Sequence, residues 1–264
     1  MKFERDGAEI FYEVRGSGRP VVLLHPFPAN HHFWDACSPF LEDHYKLILP
    51  DLRAHGDSSP GPGAATMEKH AEDLARLCHE QQVGRAAFVG VSIGGYVMFE
   101  FWRRFRERVG ALVLANTKAQ ADSDEAREGR RKAIEDVQQR GPTPFIEANL
   151  QRLLGDTTLR NRQDLVEKAR ALMARMSVQG IVAALQGMME RPDSINTLKT
   201  INVPALAISG EEDKLTPRVE AELIARAIPN CQLEMVPQAG HYAALEQPEF
   251  FGHVLRRWLD QVTF

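Results

Sequence analysis

This chain has little of what marks a secreted, membrane-spanning or nucleic-acid-binding protein. Cysteine is scarce, with Cys37, Cys78 and Cys231 the only three among 264 residues. Their odd number and wide spacing argue against a disulfide framework or a thiolate metal site and fit a reducing compartment. No uninterrupted apolar run approaches the ~20 residues that cross a bilayer. The opening "MKFERDGAEI" is charged and lacks an apolar stretch of the secretory type, so a cytoplasmic location is expected. Neither sign of charge is in large excess: a formal net charge of −4 leaves no electrostatic footprint for nucleic acid. The basic cluster Trp102-Arg103-Arg104-Phe105-Arg106 reads as the last turn of a helix, where cations suit the dipole. Metal-ligand spacing and a dinucleotide-binding glycine fingerprint are both missing, so no metal and no cofactor is expected. Internal repeats and low-complexity stretches are missing as well.

What is present is a globular composition, 44% hydrophobic and 26% charged, on a chain long enough to bury a large core. "KFERDGAEIFYEVRG" alternates around Asp6-Gly7 and predicts an N-terminal β-hairpin. "PVVLLH", "YKLILP", "AAFVGV", "ALVLAN", "PALAIS" and "QLEMV" are continuous apolar runs, as in strands buried on both faces. Helical patterns lie between them at about 67–82, 94–106, 218–227 and 249–262. Strands alternating with helices predict an α/β fold with a mostly parallel sheet wrapped on both sides. Residues 118–200 break the alternation. They contain no convincing strand, are rich in Arg, Glu, Ala, Leu, Met and Gln, and are punctuated by "GPTPF", "LLGD" and "RPDS". A helical cap inserted into a core of 1–117 and 201–264 is the expected domain plan.

The chemistry centres on "AAFVGVSIGGYVMFEF". Gly90-Val91-Ser92-Ile93-Gly94 matches G-x-S-x-G with a strand before and a helix after, the context in which a sharp turn lifts a serine hydroxyl above the sheet. An ordinary helix N-cap at Ser92 is the plainer reading. Serine at its own pKa is a weak nucleophile and needs a base held by a third group. Asp213 follows the strand "PALAIS", and His241 follows the last strand. Both loops lie at the carboxyl ends of strands, as Ser92 does, where open α/β sheets bind ligands. Glu211 and Glu212 compete for the acid role, and Asp213 is favoured because Lys214-Leu215-Thr216-Pro217 follows it as a helix entry. Asn116 ends "ALVLAN" but is not ionisable.

Two N–H donors are needed for a developing oxyanion. Ile93 follows the nucleophile, and Phe27 stands between Pro26 and Pro28, which have no N–H of their own. His25 is expected to shape this loop, and His31 and His32 to be exposed or to line a pocket mouth. Trp34, Met173, Met176 and Met188 are candidates for an adaptable substrate pocket, with core packing the competing role for each.

At this point the chain resembles the α/β-hydrolase family over nearly its whole length. The markers, in order, are "HPFP" (25–28), "PDLRAHGDS" (50–58), "GVSIGG" (90–95), "GEEDKLTP" (210–217) and "AGHYAALEQP" (239–248). The resemblance implies an eight-stranded sheet with a helical cap between late strands. It also implies Ser92 as nucleophile, His241 as base, Asp213 as its orienting acid, and Phe27 and Ile93 as oxyanion donors. Pro26 stands where the family often has glycine, and Ala54 where "RGHG" is common, which demands a compatible backbone angle at Ala54. Length, "HPFP" and the helical insert resemble small carboxylesterases and 3-oxoadipate enol-lactonase-like proteins. The expected activity is hydrolysis of a small or medium ester or lactone by a monomer or homodimer, and it should fall in acid because neutral His241 is required. Amide, carbon–carbon and perhydrolytic chemistry on the same groups stay open, as does acyl transfer to an alcohol. A small-molecule receptor with slow turnover is the rival from another class. An aspartate nucleophile, as in haloalkane dehalogenases and epoxide hydrolases, is excluded by Ser92.

Overall fold

The computed structural model describes residues 1–264. Its eight strands are β1 (Lys2–Arg5), β2 (Ala8–Arg15), β3 (Arg19–Leu24), β4 (Tyr45–Pro50), β5 (Ala86–Val91), β6 (Val109–Ala115), β7 (Ala205–Gly210) and β8 (Cys231–Val236). They form one sheet in the order β1-β2-β4-β3-β5-β6-β7-β8. β1 and β2 pair antiparallel through the Asp6-Gly7 turn, where both residues have positive φ (49° and 67°). β2 pairs antiparallel with β4, and the remaining strands run parallel.

The helices are α1 (Met67–Glu80), α2 (Ile93–Phe105), α3 (Asp124–Arg140), α4 (Pro142–Leu153), α5 (Asp156–Asn161), α6 (Gln163–Met173), α7 (Val178–Met189), α8 (Ile195–Leu198), α9 (Arg218–Ala227), α10 (Ala243–Glu246) and α11 (Pro248–Gln261). Local signals set their ends. Thr66 and Ser177 accept hydrogen bonds from the N–H groups of Lys69 and Gly180 at the starts of α1 and α7. Pro248 opens α11, where its missing N–H costs nothing. No helix is long and apolar enough to cross a membrane.

Successive residues of the central strands feed opposite cores. Val22, Leu24 and Phe88 pack with α1, α2 and α9 on one face. Val21, Leu23, Val89 and Val91 pack with α10 and α11 on the other, around Phe251 and Trp258. Each such side chain contributes roughly 1.5–3 kcal/mol by leaving water, which explains why these runs are apolar throughout and not alternating. α3 through α8 lie between β6 and β7. Their apolar residues join both cores, Ile181, Leu185 and Met188 on one side and Ile146, Leu150 and Leu153 on the other, so the insert is packed onto the sheet and not tethered beside it.

Candidate active site

Ser92 sits between β5 and α2 with φ 54° and ψ −112°, a conformation that L residues rarely adopt. The neighbours hold it there. Its N–H donates to the Ala115 carbonyl (3.0 Å), and its own carbonyl accepts the first bonds of α2 and one from the Thr117 hydroxyl (2.8 Å). Glycine is required on either side for contact reasons: a Cβ on Gly90 would lie 2.5 Å from the Gly94 carbonyl, and one on Gly94 would lie 2.9 Å from Leu24. The N–H groups of Ile93 and Phe27 meet no acceptor in the protein, which leaves both free for an oxygen anion.

His241 and Asp213 meet in the interior. His241 Nδ1 lies 2.9 Å from Asp213 Oδ2, and both side chains are fully buried. Asp213 is held by four further donors: the Leu215 and Thr216 amides on Oδ1, and Asn116 Nδ2 (2.9 Å) and the Thr216 hydroxyl (2.7 Å) on Oδ2. Burial opposes its charge, but the proximity of His241 and the hydrogen bonds from His241, Asn116 and Thr216 outweigh it and hold the carboxyl well below the usual carboxylate range. An ionised Asp213 leaves Nδ1 protonated and Nε2 as the basic nitrogen. Nε2 is buried with no partner in the protein. No hydrogen bond joins it to the Ser92 hydroxyl, a contact of the kind that tightens only when substrate binds.

The His241 loop is fixed from two sides. Its backbone N–H donates to the Leu153 carbonyl at the end of α4 (2.8 Å). Buried Glu246 accepts from the amides of Gly240 (2.9 Å) and Gly155 (2.8 Å) and from the Thr158 hydroxyl (2.6 Å). Burial pushes the Glu246 carboxyl up, against the effect of those donors.

A cavity of about 330 Å³ opens at Ser92. Phe27, Tyr96, Phe145, Leu153, Leu185 and Met188 supply its apolar wall, and Lys118, Asp122, Arg130 and Thr216 are among its polar lining. Met188 is thus in the wall, whereas Trp34, Met173 and Met176 are not. Trp34 is fully buried against Phe33 and Phe251, because the loop after β3 turns that ring down into the core. Met173 and Met176 are likewise consumed by packing among the inserted helices. His31 is neither exposed nor at the mouth. It is 1% exposed and binds Asp51 through Nδ1 (2.8 Å), while His32 pairs with Asp35 (2.9 Å). His25 braces the loop by accepting the Leu52 amide on Nε2 (2.9 Å). Ala54 adopts φ 71°, the backbone angle its place demands.

Sequence reasoning passed over Asn116, Thr216 and Glu246. Asn116 is not ionisable, yet it stands at the carboxyl end of β6, and the same positional rule that points to Asp213 and His241 points to it.

The chain belongs to the alpha/beta hydrolase fold family, whose model matches residues 19–248. Curated relatives include 3-oxoadipate enol-lactonase 2 of Acinetobacter baylyi, 26% identical over 90% of this chain and 87% of that one. Another is a pimeloyl-[acyl-carrier protein] methyl ester esterase of Salmonella paratyphi A, 30% identical over 94% and 96% of the two chains. Among solved structures, a thermophilic esterase from Thermogutta terrifontis, with malate bound, superposes with a TM-score of 0.94. It is 41% identical and the match covers 97% of this chain and 95% of that one.

Proposed function

We propose that the protein hydrolyses carboxylic esters or lactones of small to medium size through an acyl-enzyme on Ser92. The observation that carries this reading is a buried His241 whose Nδ1 is committed to Asp213 and whose Nε2 is free. The free amides of Phe27 and Ile93 flank the strained serine and support the same reading. Esterases and an enol-lactonase among the relatives agree with it.

In this mechanism His241 takes the Ser92 proton as the hydroxyl attacks the carbonyl. The amides of Phe27 and Ile93 hold the oxyanion, each contact of a kind worth about 3 kcal/mol. The imidazolium, stabilised by Asp213, protonates the leaving alkoxide. Water activated by the same base then releases the acid. Residues 118–200 act as a cap that sets selectivity through Leu185, Met188 and Phe145. A cavity of about 330 Å³ lies at the small end of the usual range for ligand pockets, in keeping with a small to medium substrate.

Steady-state turnover of a short p-nitrophenyl ester by the wild type and Ser92→Ala tests the reading. The variant should lose about 10³-fold or more in kcat. Equal rates would remove Ser92 from the chemistry, and a single burst without steady turnover would favour a small-molecule receptor on this scaffold.

A further inference from the structure

Several polar groups in the cavity wall are committed to partners. Asp122 is clasped between Arg130 (2.6 Å) and Arg191 (2.9 Å), Asn149 donates to the Phe145 carbonyl (2.8 Å), and Thr216 is bound to Asp213 (2.7 Å). Lys118 and Tyr96 are different, and, unlike the equally unpaired but exposed Arg152, they are half-buried and buried. The Lys118 ammonium, on a half-buried side chain, forms no ion pair and no hydrogen bond within the protein, and the Tyr96 hydroxyl has no partner either. Both residues are close to Ser92 along the chain's own framework. Lys118 follows Thr117, whose hydroxyl holds the Ser92 carbonyl, and Tyr96 lies one turn into α2.

The charge balance has the same sense. Lys118, Arg130 and Arg152 in the wall face Asp122 and Glu125, and Arg191 behind Asp122 adds a further cation. Asp122 is already neutralised by its arginines. Burial, then Arg191, lowers the Lys118 pKa from the usual lysine value, with Asp122 and Glu220 pulling the other way and Arg130 adding to the fall. An ammonium held in that state gains from any anion that reaches it, because Asp122 and Glu220 offset only part of the cost of its desolvation and no group in the protein pairs with it directly.

We propose that the cavity takes substrates bearing a carboxylate in addition to the scissile ester, with Lys118 as its counter-ion and Tyr96 as a hydrogen-bond donor. The proposal rests on the ester-hydrolase reading above. Lys118 contacts the remote carboxylate and not the reacting carbonyl, so it sets specificity and leaves the chemical step to Ser92 and His241.

The test compares monomethyl glutarate with methyl pentanoate, which is the same chain without the charge, by titration of released acid. Wild type should show a KM about tenfold lower for the glutarate ester, the size of one charge-assisted hydrogen bond. Added salt should narrow that gap. Lys118→Met should abolish the preference by raising KM for the glutarate ester to that for methyl pentanoate, and Lys118→Arg should restore part of it. A wild type indifferent to the charge, or a Lys118→Met variant that slows both esters equally, would overturn the proposal. Calorimetry of glutarate binding to Ser92→Ala reads the same contact without turnover, and failure to bind glutarate would overturn it too. Hydrolysis of methyl pentanoate without preference overturns the carboxylate proposal and leaves the ester-hydrolase reading standing, whereas no turnover of either ester removes the ester-hydrolase reading and with it the substrate role proposed for Lys118.

Discussion

Ser92, the proposed nucleophile, is also a point of backbone strain. Its φ of 54° and ψ of −112° exact a conformational cost of order 1–3 kcal/mol, sustained by the Ala115 and Thr117 bonds on either side. Ser92→Ala and Ser92→Gly should therefore both be inactive but differ in stability. Glycine relieves the strain at some loss of unfolded-state entropy, so the Gly variant should be more stable than the Ala variant by about 0.5–2 kcal/mol in urea denaturation. Equal midpoints would mean that the elbow is relaxed and the serine's position is set by packing alone. At this scale the sequence was legible where chemistry restricts residue type: a serine between glycines, and an acid and a histidine after later strands. It was only partly legible for Asn116, which stands at the end of β6 but whose bond to Asp213 does not show in one dimension, and not for Lys118, which reaches the cavity wall only in the folded chain.

At the scale of elements, the α4–α5 corner is bound to the His241 loop and not free to swing. Glu246 joins Gly155 and Thr158 to Gly240, and Leu153 accepts the His241 amide. Glu212 receives the Thr157 amide (2.7 Å), and Lys214 pairs with Asp156 (2.5 Å). Any opening of the insert should therefore occur on the α3 and α7 side, which pack against each other and share the opposite wall. Glu246→Ala leaves buried donors unpaired and should destabilise the fold by about 2–4 kcal/mol. Glu246→Gln should keep the fold but speed amide exchange at residues 153–158 and 239–242, with kcat lowered more than KM raised. Unchanged exchange there would show that the Leu153 contact suffices. The strands and core helices were readable to within one or two residues because each carries its own periodicity and caps. Which wall the inserted helices present was not, since Met173, Met176 and Met188 look alike in sequence and only Met188 faces the cavity.

For the whole molecule, buried histidines make the fold sensitive to acid. Burial, with His55 adding to it, pushes His25 down to about 3, and burial pushes His55 down to about 4. His70, fully buried with neither ring nitrogen partnered, is lowered well below its usual value, chiefly by burial and then by His55. In the unfolded chain these rings titrate near about 6.5. The unfolded state therefore binds more protons between those limits, so stability is full above about pH 6.5 and falls as pH drops toward about 4. Asp213, depressed in the fold, extends the loss below the usual carboxylate range. Urea midpoints measured from pH 7.5 to 4.5 should decline, and His70→Leu should flatten the decline. A pH-independent midpoint would show that these histidines are hydrated or protonated in the native state.

Sequence alone determined the α/β class and the order of strands and helices, and it singled out Ser92, Asp213 and His241 as the residues proposed to carry the chemistry. Those features are local: periodicity, capping, and a residue type at the end of a strand survive in one dimension. Only the tertiary structure decided that Asn116 and Thr216 hold Asp213, that Trp34 belongs to the core, that Glu246 ties the insert to the His241 loop, and that Lys118 faces the cavity unpaired. Each depends on which distant segments meet when both faces of the sheet are covered, and burial then sets the strength of every charge it encloses.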